Sequence, residues 1–184
     1  MMTEMEKMLA GELYRPADPE IAALHMWAVG LLYDYNHTRP ENLAERDRIL
    51  RELFGTVEGT IHIEQDFRCD YGKNIHVGDN FYANFGCVIL DVCPVRIGKN
   101  CFLAPHVGIY TATHPIRAEE RYLGLEYGSP ITIGDNCWIG GNSVINPGVT
   151  LGNNVVVGSG SVVTKSFGDN VVIAGNPARV IREL

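Results

Sequence analysis

Histidine is the side chain best suited to move protons near neutral pH, and the chain contains six. His114 lies in the segment TATHPIRAEERYLGLEYGSP, residues 111–130, and Pro115 after it favours an extended backbone. A histidine that acts as a base needs one ring nitrogen free while the other donates a hydrogen bond elsewhere. Three carboxylates in the same segment could receive that bond: Glu119, Glu120 and Glu126. Taken alone, these residues also fit an ordinary surface loop.

The five cysteines form no CxxC pair and their number is odd, so neither a disulfide framework nor a structural zinc site is expected. No cysteine has a neighbouring base in sequence that would make it a nucleophile. A six-residue repeat in the sequence requires a small buried side chain at its fifth place. Three of the cysteines occupy that place: Cys87, Cys101 and Cys137. We interpret these three as packing residues.

Aliphatic residues recur every six positions on both sides of residues 111–130. A six-residue period matches neither the 3.6-residue turn of a helix nor the alternation of one long strand. It is typical of short strands joined by turns, which stack their aliphatic residues on the inner wall of a solenoid. Glycine at the second place and the recurring GDN, GKN and GNN supply turn residues that tolerate a positive φ. The aliphatic series is Val77, Ala83 and Ile89; Ile97, Leu103 and Ile109; and Ile133, Ile139, Ile145, Leu151, Val157 and Val163.

The same period shows where the chain leaves the solenoid. Ile109 and Ile133 are 24 residues apart, a multiple of six, yet the intervening places that should be aliphatic hold Pro115, Arg121 and Tyr127. These side chains cannot continue a stacked aliphatic wall. We therefore predict that residues 111–130 form an excursion loop, a kind of segment that often carries function.

Helices precede the solenoid in the predicted arrangement. Asp18 is a plausible N-cap for a first long helix, and a second helix is expected between Pro40 and Gly55. We predict that residues 1–58 form a helical region packed on the solenoid. Residues 59–184 then form the solenoid domain with its excursion loop and a C-terminal tail.

Composition excludes several classes of protein. The net charge of -7 and the lack of a basic stripe argue against a nucleic-acid-binding surface. The start, MMTEMEKMLAGELY, has charges where a signal peptide needs an apolar core. The longest apolar run, Met26 to Tyr33, is far shorter than the roughly 20 residues that cross a bilayer. We therefore expect a cytoplasmic protein that does not contact membranes.

Several motifs together resemble a known family. The runs NFYANFG, LDVCPVRIG, YTATHP, PITIGDNCWIGGNSVINPGVTLG, SVVTK and AGNPARVI, with EKMLAGELY near the start, are similar to the maltose and galactoside O-acetyltransferases of the hexapeptide-repeat superfamily. The likeness extends over nearly the whole chain, and FRCDYG, LDVCP and YTATHP favour the maltose type. It implies a mainly β fold, a left-handed parallel β-helix, assembled as a homotrimer with acetyl-CoA between subunits. The left-handed sense comes from the resemblance alone, because the general rule for parallel crossovers is right-handed.

The resemblance also implies roles for individual residues. His114 matches the family's catalytic base, and Glu126 is the carboxylate best placed to orient it, although a backbone carbonyl could serve equally well. The residues that match acceptor contacts are Asp18, Asp70, Asn84 and Asp91. Asp18 has the helix N-cap as a competing role. Related transferases carry arginines in the first long helix, and His25 and Trp27 occupy the neighbourhood of a usual sugar-binding arginine, so the exact acceptor stays open. Trp27 could stack on a sugar or pack the helix.

Further matches concern the acetyl donor. Small residues would let the pantetheine arm lie along the coils, and the Gly141 N–H is the candidate donor to the reacting oxygen. Basic residues at the C-terminal end suit the phosphates of CoA, although they also fit an ordinary charged tail. The residues that match CoA contacts are Ala104, Trp138, Gly141, Ser159, Thr164, Lys165, Arg179 and Arg182.

The function implied by the resemblance is direct acetyl transfer from acetyl-CoA to a sugar hydroxyl, without a covalent acyl-enzyme. Transfer to another hydroxyl acceptor, such as a galactoside, an antibiotic or an oligosaccharide, is the alternative. Zinc between histidines, as in carbonic anhydrases of this fold, is a rival, but the close paired spacing of that family is absent and no metal is expected. A purely structural solenoid would show a threonine ladder, which this sequence lacks.

Overall fold

The computed structural model describes residues 2–184, which begin with three helices. These are α1 (Glu4–Ala10), α2 (Pro19–His37) and α3 (Leu43–Leu53). Thr3 and Glu6 form a capping box at the start of α1, and the side chain of Asp18 accepts a hydrogen bond from the Glu20 N–H at the start of α2. The N-cap role weighed for Asp18 is therefore present in the structure.

Short parallel strands follow and form five coils. Coil 1 contains β1 (Thr56–Val57), β2 (Ile61–Ile63) and β3 (Arg68–Cys69), and coil 2 contains β4 (Ile75–Val77), β5 (Phe81–Ala83) and β6 (Val88–Leu90). Coil 3 contains β7 (Val95–Ile97), β8 (Phe102–Leu103) and β9 (Gly108–Tyr110). After the excursion, coil 4 contains β12 (Ile131–Ile133), β13 (Trp138–Ile139) and β14 (Val144–Ile145), and coil 5 contains β15 (Thr150–Leu151), β16 (Val155–Val157) and β17 (Val162–Val163).

The strands stack into three parallel sheets, which we call face 1, face 2 and face 3 after the first, second and third strand of each coil. Face 2 is extended by β18 (Val171–Gly175), and β19 (Ala178–Glu183) returns antiparallel beside it. The turns between faces also stack, so the prism has a 1/2 corner, a 2/3 corner and a 3/1 corner. The predicted parallel solenoid is confirmed.

The inner wall is aliphatic, as the repeat predicted. Residues of the six-residue series, such as Ile109 and Ile139, are buried, and so are the small side chains of the fifth place. All five cysteines are buried free thiols, which agrees with the interpretation of Cys87, Cys101 and Cys137 as packing residues. Removal of each large aliphatic side chain from water contributes about 1.5–3 kcal/mol.

Asparagine and glycine have different tasks at the 1/2 corner. The asparagines adopt a left-handed backbone, with φ from 54° to 59°, and their amides hydrogen-bond along the stack, as Asn80 does to Asn100 at 3.0 Å. The preceding second-place glycines have no positive φ; Gly98 and Gly134 instead lie so close to the next coil that a Cβ would collide with it. The sequence-based reason given for these glycines was therefore wrong, because close packing between coils, and not φ, requires them.

The 3/1 corner is wider than the other two in the first three coils. Ile89 and Ile97 are eight residues apart where the repeat would have six, and so are Cys69 and Val77. Where the chain turns from face 3 to face 1 for the third time, the whole excursion is inserted. The repeat is therefore broken three times in succession at one corner.

The excursion is an antiparallel hairpin. Its strands are β10 (Ala112–Thr113) and β11 (Tyr127–Gly128), with the short helix α4 (Ala118–Arg121) between them. The N-terminal segment joins this hairpin, because Tyr14 and Glu126 exchange both backbone hydrogen bonds. Coil 4 stacks on coil 3 as though the excursion were absent, with Val144 beside Gly108.

The N-terminal helices share a core with the solenoid. Leu32 and Tyr35 of α2 and Leu50 of α3 belong to the same buried cluster as the aliphatic wall. Gly55 follows the second long helix as predicted, but β1 already pairs with β4, so the solenoid begins before the predicted boundary at residue 59. A two-residue strand has too little pattern to be read from sequence.

Candidate active site

A cleft of about 430 Å³ opens at the wide 3/1 corner. Its lining combines the excursion, the loop before β4 and helix α2. His114 follows β10 directly and Glu126 precedes β11, so the hairpin brings the two residues to one side of the cleft. The lining residues are Pro16, Ala22, His25, Met26, Asp70, Tyr71, Leu90, Val92, Ala112, His114 and Glu126.

Glu126 is held in place by Tyr14. The buried Tyr14 hydroxyl donates to Glu126 Oε2 at 2.9 Å, in addition to the backbone pairing of the two residues. Burial raises the pKa of Tyr14, so the hydroxyl keeps its proton and remains a donor. Within residues 2–184 no hydrogen bond joins the His114 ring to Glu126 or to another group. His114 is exposed, and its two nitrogens are free for other contacts.

Asp70 places a third polar group in the cleft. Burial raises the pKa of its carboxyl to about 6, partly offset by the nearby His25 and reinforced by the negative charge of Glu126. The cleft therefore contains the imidazole of His114, two carboxyl groups and an apolar side that includes Met26 and Leu90. This mixture suits a molecule with several hydroxyl groups and some apolar surface.

Asp91 does not reach the cleft. Its side chain is fully buried, and its oxygens accept hydrogen bonds from the backbone N–H groups of Asp70, Tyr71 and Asn74 at 3.0, 2.9 and 3.3 Å. Burial raises the pKa of Asp91 to about 7. The expectation that Asp91 contacts the acceptor needs correction: this carboxyl holds the loop that carries Asp70, and direct contact is prevented by its burial.

The other two predicted acceptor residues lie outside this cleft. Asp18 caps α2, and Asn84 lies at the 2/3 corner, where its side chain accepts a hydrogen bond from the Phe85 N–H at 2.8 Å. The structure therefore brings together His114, Glu126 and Asp70 but leaves Asn84 on a different corner of the same chain.

Three of the predicted CoA residues stack at the 2/3 corner. Ala104, Gly141 and Ser159 occupy successive coils, and the Gly160 N–H donates to the Gly141 carbonyl at 2.8 Å. The outward N–H groups of this corner differ from coil to coil. The Phe85 N–H donates a hydrogen bond to the Asn84 side chain, and Pro105 has no N–H. In the described part of the chain the Gly141 N–H has no hydrogen-bond partner. Gly141 thus offers a free backbone donor.

The remaining predicted CoA residues are more dispersed. Trp138 is 53% exposed on face 2, and Arg179 and Arg182 lie on β19 at the C-terminal end of the solenoid. Thr164 and Lys165 follow β17 and therefore lie at the 3/1 corner. Lys165, Arg179 and Arg182 form no salt bridge within residues 2–184.

Sequence reasoning missed Tyr71, which lines the cleft, and the buried Tyr14, which holds Glu126; it noted His25 only as a departure from related transferases. The Tyr14 to Glu126 contact spans 112 positions, and nothing in the local sequence indicates it. Trp27, in contrast, is partly buried against the core and lies under the Lys73 ammonium at 4.8 Å from the ring centre. Packing, one of the two roles considered for Trp27, is the role that the structure shows.

Among residues 2–184, no group of three or more histidine, cysteine, aspartate or glutamate side chains is arranged to hold a metal ion. Over the same range, none of the helices combines the length and the apolar character that a bilayer crossing requires.

Comparisons with known proteins agree with the motifs. A family model for the maltose acetyltransferase hexapeptide capping motif matches residues 7–59, and one for the hexapeptide repeat of succinyl-transferase matches residues 130–165. The galactoside O-acetyltransferase of Escherichia coli is 43% identical over 183 residues, which cover 100% of this chain and 90% of that protein.

Solved structures give the same result. The crystal structure of a maltose O-acetyltransferase from Clostridium difficile 630 matches with a TM-score of 0.98 and 52% identity, covering 100% of this chain and 98% of the other. A galactoside acetyltransferase in complex with coenzyme A matches with a TM-score of 0.96 and 43% identity, covering 100% of this chain and 92% of the other. The chain therefore belongs to the maltose and galactoside O-acetyltransferase family of hexapeptide-repeat enzymes, which confirms the resemblance of its motifs.

Proposed function

We propose that this protein transfers an acetyl group from acetyl-CoA to a hydroxyl of a sugar, with maltose or glucose as the preferred type of acceptor. The observation that carries the proposal is the cleft in which His114, Glu126 and Asp70 meet. Family membership supports the acetyl transfer itself. The maltose type rests on the FRCDYG, LDVCP and YTATHP motifs, the first of which supplies Asp70.

In the proposed mechanism His114 is the general base. It takes the proton of the acceptor hydroxyl while the new O–C bond forms and the C–S bond breaks, and the proton then passes to the sulfur of CoA. Acetyl-CoA supplies the activated thioester. The Gly141 N–H donates to the oxygen that gains negative charge, a role for which its lack of a partner in the described chain suits it. The buried free cysteines are not required as nucleophiles.

The C-terminal end supplies charge for the donor. Lys165, Arg179 and Arg182 carry positive charge in a chain of net charge -7, and the two arginines project from one strand. Guanidinium and ammonium groups without carboxylate partners suit the phosphates of CoA. Ala104, Gly141 and Ser159 leave a narrow path along the 2/3 corner for the pantetheine arm, and Trp138 borders this path on face 2. Thr164 lies at the 3/1 corner, so in this proposal it reaches CoA only across a subunit boundary.

Glu126 acts in this mechanism as a positioning residue for His114. We expect Glu126→Gln to lower kcat about tenfold, because the amide keeps the shape and the Tyr14 contact but removes a carboxylate that could accept a hydrogen bond from the His114 ring and so orient it. The measurement is kcat between pH 5.5 and 9. Tyr14→Phe is the companion variant, since it removes the hydroxyl that holds Glu126. Full turnover of Glu126→Gln across this range would assign the orienting role to a backbone carbonyl.

We further propose a homotrimer with the active site between subunits. His114 lies at the 3/1 corner, whereas Gly141 lies at the 2/3 corner, so face 3 separates them in one chain. Contact between the 3/1 corner of one copy and the 2/3 corner of the next would join the base to the acetyl donor. The outer side of face 3 suits such packing, because its outward column is apolar in coils 2 to 5, next to Arg68 in coil 1: Val88, Gly108, Val144 and Val162. Asn84 would then approach the acceptor from the second copy.

The trimer proposal can be tested on face 3. We expect Val144→Glu to convert a trimer into monomers and to reduce turnover at least about tenfold, because it would bury three unpaired carboxylates around one axis. The measurement is light scattering coupled to size exclusion, with activity in parallel. Thr132→Glu, in the same coil but exposed on face 1, is the matched control. A trimer that survives Val144→Glu would exclude face 3 as the interface.

We place the enzyme in the cytoplasm. Five buried thiols without a disulfide suit a reducing compartment, where such thiols are stable.

The substrate assignment is tested by thiol release from acetyl-CoA over glucose, maltose, galactosides and hydroxyl-bearing antibiotics. Release that depends on glucose or maltose is the expected result, and a profile without sugars would overturn it.

A further inference from the structure

Arg46 is a positive charge enclosed in the protein without a carboxylate beside it. It lies on α3, and only 5% of its surface is exposed. Its Nη2 donates hydrogen bonds to the Tyr35 hydroxyl at 3.0 Å and to the Ile63 carbonyl at 2.6 Å. No salt bridge within residues 2–184 includes Arg46. Burial of a cation without an anion is costly, so a negatively charged partner would stabilise this position.

The guanidinium has further hydrogen-bond donors. Its Nη2 makes both of the bonds above, whereas Nε and Nη1 have no partner among the residues that the structure describes. In the same part of the chain, no fully enclosed side-chain nitrogen lacks a hydrogen-bond partner. The Nε and Nη1 of Arg46 are therefore not enclosed by protein atoms and are open to a space beside the side chain.

That space is a cavity of about 180 Å³ between α2, α3 and β2. It is smaller than the roughly 300–1,000 Å³ of sites for drug-sized ligands, so it suits a molecule of a few non-hydrogen atoms. It shares no residue with the cleft of His114. The lining residues are Tyr35, Leu43, Arg46, Asp47, Leu50, Ile61, His62 and Ile63.

The other ionisable groups of the cavity wall already have partners. The carboxylate of Asp47 accepts a hydrogen bond from Arg51 Nε at 2.7 Å. Asp47 and Arg46 are consecutive on a helix, so their side chains do not face each other. His62 Nε2 is 3.2 Å from Glu64 Oε1. In the described part of the chain, Arg46 is thus the charged group of this wall that lacks a charged partner.

We propose that this cavity binds a small organic carboxylate. Its oxygens accept hydrogen bonds from Nε or Nη1 of Arg46, and its short apolar tail packs against Leu50 and Ile61. A carboxylate with one apolar end matches one cation and an apolar wall, whereas a phosphate ion would leave most of its oxygens without donors. The site is separate from the proposed acetyl transfer. The competing role for Arg46 is structural, with only water in the cavity.

The test follows the Nε–H signal of Arg46 in ¹⁵N-labelled protein, assigned by its loss in Arg46→Lys. We expect sodium acetate to shift this signal in a saturable way, with a dissociation constant of about 1–10 mM, as suits a ligand of few atoms. Propionate should bind at least as tightly, because its tail is longer. Acetate at about 100 mM should also raise Tm by about 3–6 °C over sodium chloride of equal ionic strength.

A second variant keeps the test valid if Arg46→Lys does not fold. Leu43 lines the cavity and is exposed at the start of α3, where a carboxylate favours the helix. Leu43→Asp leaves every hydrogen bond of Arg46 in place but adds a negative charge at the rim of the cavity. It should weaken acetate binding at least about threefold through repulsion of like charges.

Arg48→Lys is the matched control. Arg48 lies on the same helix, but Glu45 and Glu52 already pair with it, so acetate binding should equal that of wild type. The proposal is overturned if acetate does not shift the Arg46 signal, or if binding is as tight in Leu43→Asp as in wild type. Sodium phosphate at equal ionic strength is the remaining arm, and tighter binding of phosphate than of acetate would overturn the assignment to a carboxylate.

Discussion

Replacement of His114 by alanine is expected to lower acceptor-dependent release of CoA by about 10²- to 10⁴-fold, the usual contribution of a positioned base. His114 is exposed and forms no hydrogen bond within residues 2–184, so its removal should not affect folding. The residues proposed to bind CoA lie on other strands and turns. We therefore expect an unchanged dissociation constant for CoA, measured by calorimetry, beside the loss of turnover, measured by thiol release.

The control for this experiment is His37→Ala, which removes another exposed imidazole at a distance from the cleft. It should retain wild-type turnover. His114→Gln should be almost as inactive as His114→Ala, because an amide cannot take the proton. If His114→Ala retained more than about a tenth of the wild-type rate, a different group would have to be the base.

The second large effect concerns stability. Asp91→Ala is expected to lower the free energy of unfolding by about 3–5 kcal/mol, because it leaves the buried N–H groups of Asp70, Tyr71 and Asn74 without their acceptor. Asp91→Asn keeps one oxygen and should cost less. Urea unfolding followed by circular dichroism measures both changes. The KM for the sugar should also rise in the variant that stays folded, because the loop that carries Asp70 is loosened.

The large loss of stability expected for Asp91→Ala depends on the burial of this carboxyl, and the exposed Asp79 provides the comparison. Asp79 also accepts from backbone N–H groups, those of Thr60 and Asn80, but in an exposed turn. Water can replace Asp79 as the acceptor, so Asp79→Ala should cost only about 1 kcal/mol. Equal losses in Asp79→Ala and Asp91→Ala would show that the buried network does not stabilise the loop.

Asp91 also predicts a pH dependence. Its pKa in the folded protein is about 7, above the ordinary value near 4, so the folded state binds this proton more tightly than the unfolded state does. The stability that comes from this tighter proton binding is therefore fully present below about pH 4 and is lost as the pH rises to about 7. The stability advantage of wild type over Asp91→Asn should shrink over this interval. An advantage that grew with pH would mean that the buried carboxylate is stabilised in its charged form.

Much of the architecture could be predicted from the sequence because a solenoid repeats one local rule. Each coil buries residues such as Ile109 and Ile139 at the same place, so six-residue spacing is sufficient to indicate the inner wall. The break of this spacing likewise located the excursion. The strand of residues 56–57 was missed because its pattern is too short.

The candidate site was less predictable because distant segments form it. The motif of His114 predicts a residue that the structure places in the cleft, but the contact of Tyr14 with Glu126 exists only in the folded chain. Asp91 shows a second difficulty, since an acidic residue in a short motif looks the same whether it faces a ligand or is buried under a loop. Burial, which decides between these roles, depends on how the loop of Asp70 folds over the corner.

Coil 4 stacks on coil 3 in the same register that links the other coils. The turn between these two coils nevertheless contains 18 residues more than the six-residue repeat, whereas the two earlier turns at this corner contain only two more. The excursion is therefore not needed to align the coils. Its tip, residues 116–124, can be lengthened, shortened or exchanged during evolution or design without shifting a single coil. As long as β10 and β11 remain paired at its base, such changes would alter the entrance of the cleft and leave His114 where it is. New acceptor preferences can thus arise on an unchanged scaffold.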